Sequence, residues 1–140
     1  MSDDPSTTPS EEERYGQLQL QALEYARNGE TEPLLPMIEA GLPVNLADEN
    51  GQTLLMLACY HGHEETAREL LARGAEADRR NDHGQTPLGG VAFKGFLPIA
   101  RLLVEHGADP KADNGSGMTP VQFADMFGQK EMGEYLRSLG

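Results

Sequence analysis

One short stretch of the sequence carries the side chains best suited to chemistry. Cys59, His61 and His63 lie close together in it, and His83 and His106 lie further along the chain. Thiolate and imidazole groups are common zinc ligands, and a cysteine beside a histidine can act as a nucleophile. Zinc sites recur as ligand pairs at characteristic spacings, which these residues do not show. The sequence therefore predicts no metal, no cofactor and no catalytic residue, with a metal-dependent His/Cys enzyme as the least favoured alternative.

A repeat of 33 residues positions these side chains. The letters GQTPL at 84–88 return as GQTLL at 51–55 and as GMTPV at 117–121. Repeats of this size are small units that cannot bury their apolar faces alone and must stack. Cys59 falls in the register of Ala26, Ala92 and Asp125, a position that favours a small buried side chain over a reactive one.

The residues within each copy indicate helix starts and stops. Thr86 precedes Pro87, and Thr119 precedes Pro120. A threonine hydroxyl can accept from free amides at a helix start, where proline also fits the first helical position. Thr119 and Gln122 form a capping-box pattern, and the glycines that follow the apolar runs are typical helix ends. Each copy is predicted to form a turn, a helix, a glycine bend and a second helix.

At these residues the chain resembles the ankyrin repeat family, whose unit carries a T-P-L-H-x-A signature. The resemblance covers about Tyr15 to Gly140. It implies an all-α fold, namely an ankyrin-type α-solenoid of about four helix-turn-helix repeats with short hairpin fingers. The signature histidine is replaced here by Met56, Gly89 and Gln122. Because Gly89 and Gly90 are poor helix formers, repeat three is expected to be the least stable.

The repeat register divides the chain into two regions. Residues 1–13 are predicted to be a disordered acidic lead-in. An ankyrin repeat domain is predicted over 14–140, with the apolar face of the first helix including Leu18 and Ala22. The predicted repeats, of which the first and last are degenerate, are about 15–47, 48–80, 81–113 and 114–140. Arg137 stands in a register that is otherwise apolar. A polar residue suits that position in a terminal repeat, because the outer face of the repeat meets water.

Composition narrows the function classes. The chain has 140 residues, 11 basic and 23 acidic, and a net charge of −12. This balance argues against nucleic acid and anionic membranes as partners, because both require clustered basic residues. A single cysteine and the lack of a long apolar stretch favour a cytoplasmic protein, expected to be a monomer. The acidic excess is concentrated in residues 1–50, which suggests an alternative function as an acidic inhibitory or structural subunit that binds a basic partner.

The favoured function is that of a non-catalytic adaptor or regulator that binds an unidentified protein partner. Side chains in equivalent registers form columns along a solenoid, and two columns contain aromatic residues. In the family, the helix ends and fingertips line the concave face that meets partners. We therefore expect the partner to contact Tyr60, Phe93 and Met126, then His61, Lys94 and Phe127. The matching fingertip residues are Glu49, Asn50, Gln52, Asp82, His83, Gln85, Ser116 and Met118.

A second interpretation of the aromatic residues remains open. The rings could simply cover loosely packed inner helices, above all at Gly89 and Gly90. If they form a binding site, Tyr60→Ala combined with Phe93→Ala should abolish partner binding and leave folding intact.

Overall fold

The computed structural model describes residues 10–140. Within these residues the chain forms eight α-helices and a single isolated β-bridge, between Ala47 and Thr53. The helices are α1 (Glu11–Asn28), α2 (Thr31–Glu39), α3 (Leu54–Tyr60), α4 (Glu64–Ala72), α5 (Pro87–Lys94), α6 (Leu97–Glu105), α7 (Pro120–Met126) and α8 (Lys130–Ser138).

The helices stack as four helix-turn-helix units. The inner helices α1, α3, α5 and α7 pack in sequence against one another, and α2, α4 and α6 form a second layer outside them. The core lies between the two layers and includes Leu55 and Leu88 of the inner helices and Leu70 and Leu103 of the outer ones. The predicted all-α solenoid of four helix-turn-helix units is therefore confirmed.

Threonine starts three of the inner helices, as the sequence indicates. The hydroxyl groups of Thr53, Thr86 and Thr119 each accept from the backbone amide three residues later, at 3.1, 3.1 and 3.4 Å. The predicted capping box between Thr119 and Gln122 is also present. These caps satisfy amides that have no partner within the helix. They fix the start of each inner helix relative to the finger that precedes it.

The first unit differs from the prediction. Helix α1 begins at Glu11 because Ser10 and Glu13 form a capping box, so the proposed boundary of the lead-in at residue 13 is too late. Residues 1–9 lie outside the described residues. Leu18, predicted to lie on the apolar face of the first helix, is 51% exposed, whereas Ala22 on the same face is buried. Helix α1 has 18 residues, and its first half is mostly exposed.

The last unit ends in a polar face. Arg137 is exposed, and its guanidinium lies 2.9 Å from a carboxylate oxygen of Asp125. Both residues stand in registers that other units fill with buried apolar side chains, such as Cys59 and Leu71. The two polar replacements thus pair with each other in α7 and α8.

The three fingers precede α3, α5 and α7. In the first, a carboxylate oxygen of Asp48 accepts from the amides of Asn50 and Gln52, both at 2.9 Å. In the second, Asn81 makes the equivalent bonds within its own finger. Neighbouring fingers are joined where the Asp82 amide donates to the Asn50 carbonyl at 3.0 Å.

Candidate functional site

The cysteine and histidines of α3 and its turn make packing and hydrogen-bond contacts within the stack. Cys59 is fully buried, and burial raises the pKa of its thiol above the ordinary value. His61 Nδ1 lies 2.9 Å from the Leu57 carbonyl, and His63 Nε2 lies 2.9 Å from the Arg27 carbonyl. Each imidazole is therefore engaged at the carboxyl end of a helix. In residues 10–140 no group of three or more His, Cys, Asp or Glu side chains is arranged to hold a metal ion.

A groove opens between the inner helices and the fingers. It has a volume of about 450 Å³. Its wall comes from α3, α5 and α7, and the residues that define it are Tyr60, Gly90, Phe93, Lys94, Phe123 and Phe127. We call these six residues the aromatic groove. Lys94 is its one charged member, and the fingers add the amide side chains of Gln52, Gln85 and Asn114.

Two glycines of α5 shape this groove. A methyl group on Gly90 would overlap the ring of Tyr60, and one on Gly89 would overlap the side chain of Asn114. The Tyr60 hydroxyl donates to the Thr86 carbonyl at 3.0 Å. Tyr60 is half-buried, and its burial raises the pKa of its phenol. Tyr60 therefore forms a fixed wall of the groove.

Asn114 fills the space beside Gly89. Its side-chain oxygen accepts from the backbone amide of Thr86 at 2.7 Å, and the residue is buried. Its counterpart Asn81 instead caps its own finger. In the third finger the preceding residue takes that task, since the Gly115 amide donates to Asp113 at 3.0 Å. The absence of a side chain on Gly89 allows this contact between neighbouring units.

Two phenylalanines form the exposed part of the groove. Phe93 is 41% and Phe127 48% exposed, and their ring centroids lie 4.4 Å apart in an edge-to-face arrangement. Phe123 lies beside Phe127, with ring centroids 6.5 Å apart. The sequence analysis missed Phe123, although it stands in the register of Gly90, where a missing side chain leaves room for a neighbouring ring.

The predicted columns are only partly brought together. Tyr60 and Phe93 line the aromatic groove, whereas Met126, the third member of their column, is 61% exposed and does not. In the second column, Lys94 and Phe127 line the groove and His61 does not. The groove therefore runs across the two columns.

Most of the predicted fingertip residues lie outside the aromatic groove, whereas Gln52 and Gln85 line the same cavity. Glu49, Asn50, Asp82 and His83 are all exposed. Of these four, Glu49 lines a second and larger groove of about 800 Å³ between α1 and the first finger.

This second groove is acidic. It includes the carboxylates of Glu24, Asp48 and Glu49 and the guanidinium of Arg27, which lies 3.0 Å from Glu24. We call these four residues the acidic groove; its formal charge is negative because the three carboxylates outnumber the one guanidinium. Arg27 stands in the register of Tyr60 and Phe93. Both grooves therefore lie between the row of inner helices and the fingers.

Comparison with known proteins gives one family. A family model described as ankyrin repeats, in three copies, matches residues 22–114. An ankyrin repeat protein of Pseudomonas aeruginosa is 46% identical over 48 residues, which are 34% of this chain and 28% of that protein. Acyl-CoA-binding domain-containing proteins 1 and 2 of Arabidopsis thaliana are 44% and 42% identical over 62 residues, or 44% of this chain and 18% of each relative. The chain thus spans less than a third of the length of each.

No helix within residues 10–140 combines the length and the apolar composition that crossing a membrane requires.

Proposed function

The chain belongs to the ankyrin repeat family, and on that premise we propose that it is a non-catalytic adaptor or regulator that binds a partner protein through its concave face. Ankyrin repeats are protein–protein interaction modules, and the family is typically not enzymatic. We also propose that the protein is a monomer and acts in the cytoplasm. The single observation that carries it is the aromatic groove, with Phe93 and Phe127 exposed at its mouth.

The aromatic groove has the features of a protein-binding hot spot. Aromatic side chains that enter a desolvated contact dominate binding energy at interfaces. The rings of Phe93 and Phe127 already contact each other, so little side-chain entropy would be lost when a partner covers them. Tyr60 adds a wall held by its bond to Thr86. A partner side chain would therefore meet a preformed apolar surface.

The two interpretations of the aromatic residues apply to different rings. Tyr60 packs over Gly90 and stabilises the stack, so replacing it would disturb folding as well as binding. Phe93 and Phe127 keep more than two fifths of their surface exposed. The variant suited to a test of binding is therefore Phe93→Ser combined with Phe127→Ser, and not one that includes Tyr60.

The test compares proteins retained from a lysate of the cell that makes the protein. The Phe93→Ser/Phe127→Ser variant should lose partners that the wild type retains, while its circular dichroism stays unchanged. The matched control is Tyr15→Ser with Leu18→Ser. It removes from α1 two apolar side chains whose exposure is close to that of Phe93 and Phe127. If the control loses the same partners, or if neither variant loses any, binding through the aromatic groove is wrong.

The acidic groove supports a second candidate function, binding of a basic partner mainly by charge. Carboxylates near the rim of an interface accelerate association and make the affinity depend on salt. An affinity that collapses as salt is raised, and that survives in the Phe93→Ser/Phe127→Ser variant, would favour this function over the first. The metal-dependent alternative gains no support from the contacts of Cys59, His61 and His63.

A further inference from the structure

The two halves of the concave face differ in chemistry, and that difference restricts what can bind. The aromatic groove offers three phenylalanine rings in the third and fourth units and a tyrosine wall from the second. The acidic groove offers Asp48 and Glu49 beside the Glu24–Arg27 pair in the first unit and the first finger. A ligand that covered both halves would therefore need an apolar end and a basic end.

One extended segment can reach both grooves. Arg27, Tyr60 and Phe93 are equivalent residues of successive units, so the grooves follow one row of inner helices. Packed helices lie about 8–10 Å apart, which places the first and third units roughly 16–20 Å from each other. An extended chain advances about 3.3 Å per residue. The span corresponds to about five or six residues.

We propose that the concave face recognises an extended segment of a partner protein in which a lysine or arginine is separated by about five or six residues from a large apolar or aromatic side chain. The basic side chain binds in the acidic groove beside Glu24 of the first unit, with Glu49 in the same groove. The apolar side chain enters the aromatic groove at Phe93 of the third unit. This inference rests on the proposed function and names the class of partner for the same surface.

Lys94 sets the orientation of such a segment. It is exposed at the end of α5 and lines the aromatic groove. Its ammonium group repels a basic side chain placed at the aromatic groove, because like charges brought together across an interface reduce affinity. The carboxylates of the acidic groove attract that same side chain. Opposite charges at the two ends of the face thus favour one placement of the segment.

The test uses a displayed library of random peptides about a dozen residues long, selected on the whole protein. Peptides enriched on the wild type should contain a basic residue and a large apolar residue about five or six positions apart. Three variants are selected in parallel: Glu24→Gln/Glu49→Gln, Phe93→Ser/Phe127→Ser, and the control Tyr15→Ser/Leu18→Ser. Circular dichroism confirms that each of them folds.

Each outcome decides between this inference and the proposed function. Loss of only the basic preference on Glu24→Gln/Glu49→Gln, together with loss of the apolar preference on Phe93→Ser/Phe127→Ser, supports the inference. Enrichment of apolar residues without basic ones, or with acidic ones, overturns it and leaves the proposed function standing. No enrichment on the wild type overturns the inference that an extended segment is recognised and leaves the proposed function to the lysate test. Enrichment that Phe93→Ser/Phe127→Ser does not change overturns binding through the aromatic groove, and with it the proposed function.

Affinities of one enriched peptide sharpen the result. Because buried aromatic anchors contribute most of the binding energy, Phe93→Ser/Phe127→Ser should weaken binding by roughly 30-fold or more. Rim carboxylates contribute less, so Glu24→Gln/Glu49→Gln should weaken binding by about 3–10-fold at low salt. The second loss should shrink as salt is raised. A loss that does not depend on salt would contradict the role given to the carboxylates.

Discussion

Helices α3 and α5 occupy equivalent positions in successive units. We call α3 the closed helix, because its own side chains fill the space around it, and α5 the open helix, because Gly89 and Gly90 leave space that neighbouring residues enter. Every residue of α3 from Leu54 to Cys59 is buried. Met56 and Leu57 in α3 stand where α5 has Gly89 and Gly90, and the space left by the two glycines takes the side chains of Asn114 and Tyr60. The backbone plan of the two helices is the same. Beside α5, residues of neighbouring units occupy the space that the side chains of α3 fill in the preceding unit.

Gly89 and Gly90 affect the stability of α5 in two opposite ways. Judged by helix propensity alone, they weaken α5 by about 1 kcal/mol each relative to alanine. In the stack they also permit the hydrogen bond that the Thr86 amide donates to the Asn114 side-chain oxygen, and the close packing of Tyr60. Because these two effects oppose each other, the low stability expected for repeat three remains a prediction.

The largest effect is expected from the closed helix. Leu55→Ala should lower the free energy of unfolding by about 2–5 kcal/mol, because it leaves a cavity in the core of α3. Leu18→Ala, which shortens the same side chain at an exposed position of α1, should change it by less than about 1 kcal/mol. Urea titration followed by circular dichroism measures both values. Equal losses of unfolding free energy would mean that Leu55 is packed no more tightly than Leu18.

The open helix is tested by filling its space. Gly90→Ala should cost about 1–3 kcal/mol of unfolding free energy, because the added methyl group overlaps Tyr60. The control is Gly16→Ala in α1, where no heavy atom lies within 4 Å of the added methyl group. That variant should gain up to about 1 kcal/mol from helix propensity. If both variants are stabilised equally, Tyr60 does not pack on α5 as described.

The bond across the open helix should matter somewhat less. Asn114→Ala leaves the buried amide of Thr86 without its partner, which should cost about 1–2 kcal/mol in the same urea titration. Asn50→Ala, at an exposed fingertip whose backbone carbonyl makes the contact with Asp82, should cost less than about 0.5 kcal/mol. A larger loss at Asn50 than at Asn114 would overturn the role given to Asn114.

The smallest effect is a dependence on alkaline pH. Burial raises the pKa of the Cys59 thiol, so the folded protein keeps the thiol neutral when the unfolded chain ionises it above pH about 8.5. Stability from this group is complete below that pH and falls as pH rises, by about 0.8 kcal/mol at pH 9. Cys59→Ala introduces the residue found at the matching position of α5, Ala92, and should remove this part of the decline. An unchanged decline in urea titrations at pH 7.5 and pH 9 would place the thiol in contact with water.

Much of the fold could be predicted because its signals are local. The threonine caps, the glycine bends and the constant spacing fix where the inner helices start and which faces they bury. The capping box of Ser10 and Glu13 is equally local, and the early start of α1 could have been found from it. The long exposed half of α1 could not, because exposure depends on which neighbours the stack provides.

The groove was less predictable because it depends on contacts between units. The repeat register places Tyr60, Phe93 and Met126 in one column but does not say which rings the neighbouring glycines admit. Asn114 occupies the space beside Gly89, Tyr60 that beside Gly90, and Phe123 lies next to Phe127. Those contacts follow from side-chain directions across neighbouring helices, which spacing along the chain does not encode.

The most direct test of the account is amide NMR of the whole protein as a library-selected peptide is added. The account predicts that chemical shifts change along the concave face, at Gly90, Phe93 and Phe127 and, for peptides with a basic end, at Glu24 and Glu49. Changes concentrated on the outer helices, at Arg68 and Arg101, with the aromatic groove undisturbed, would contradict it.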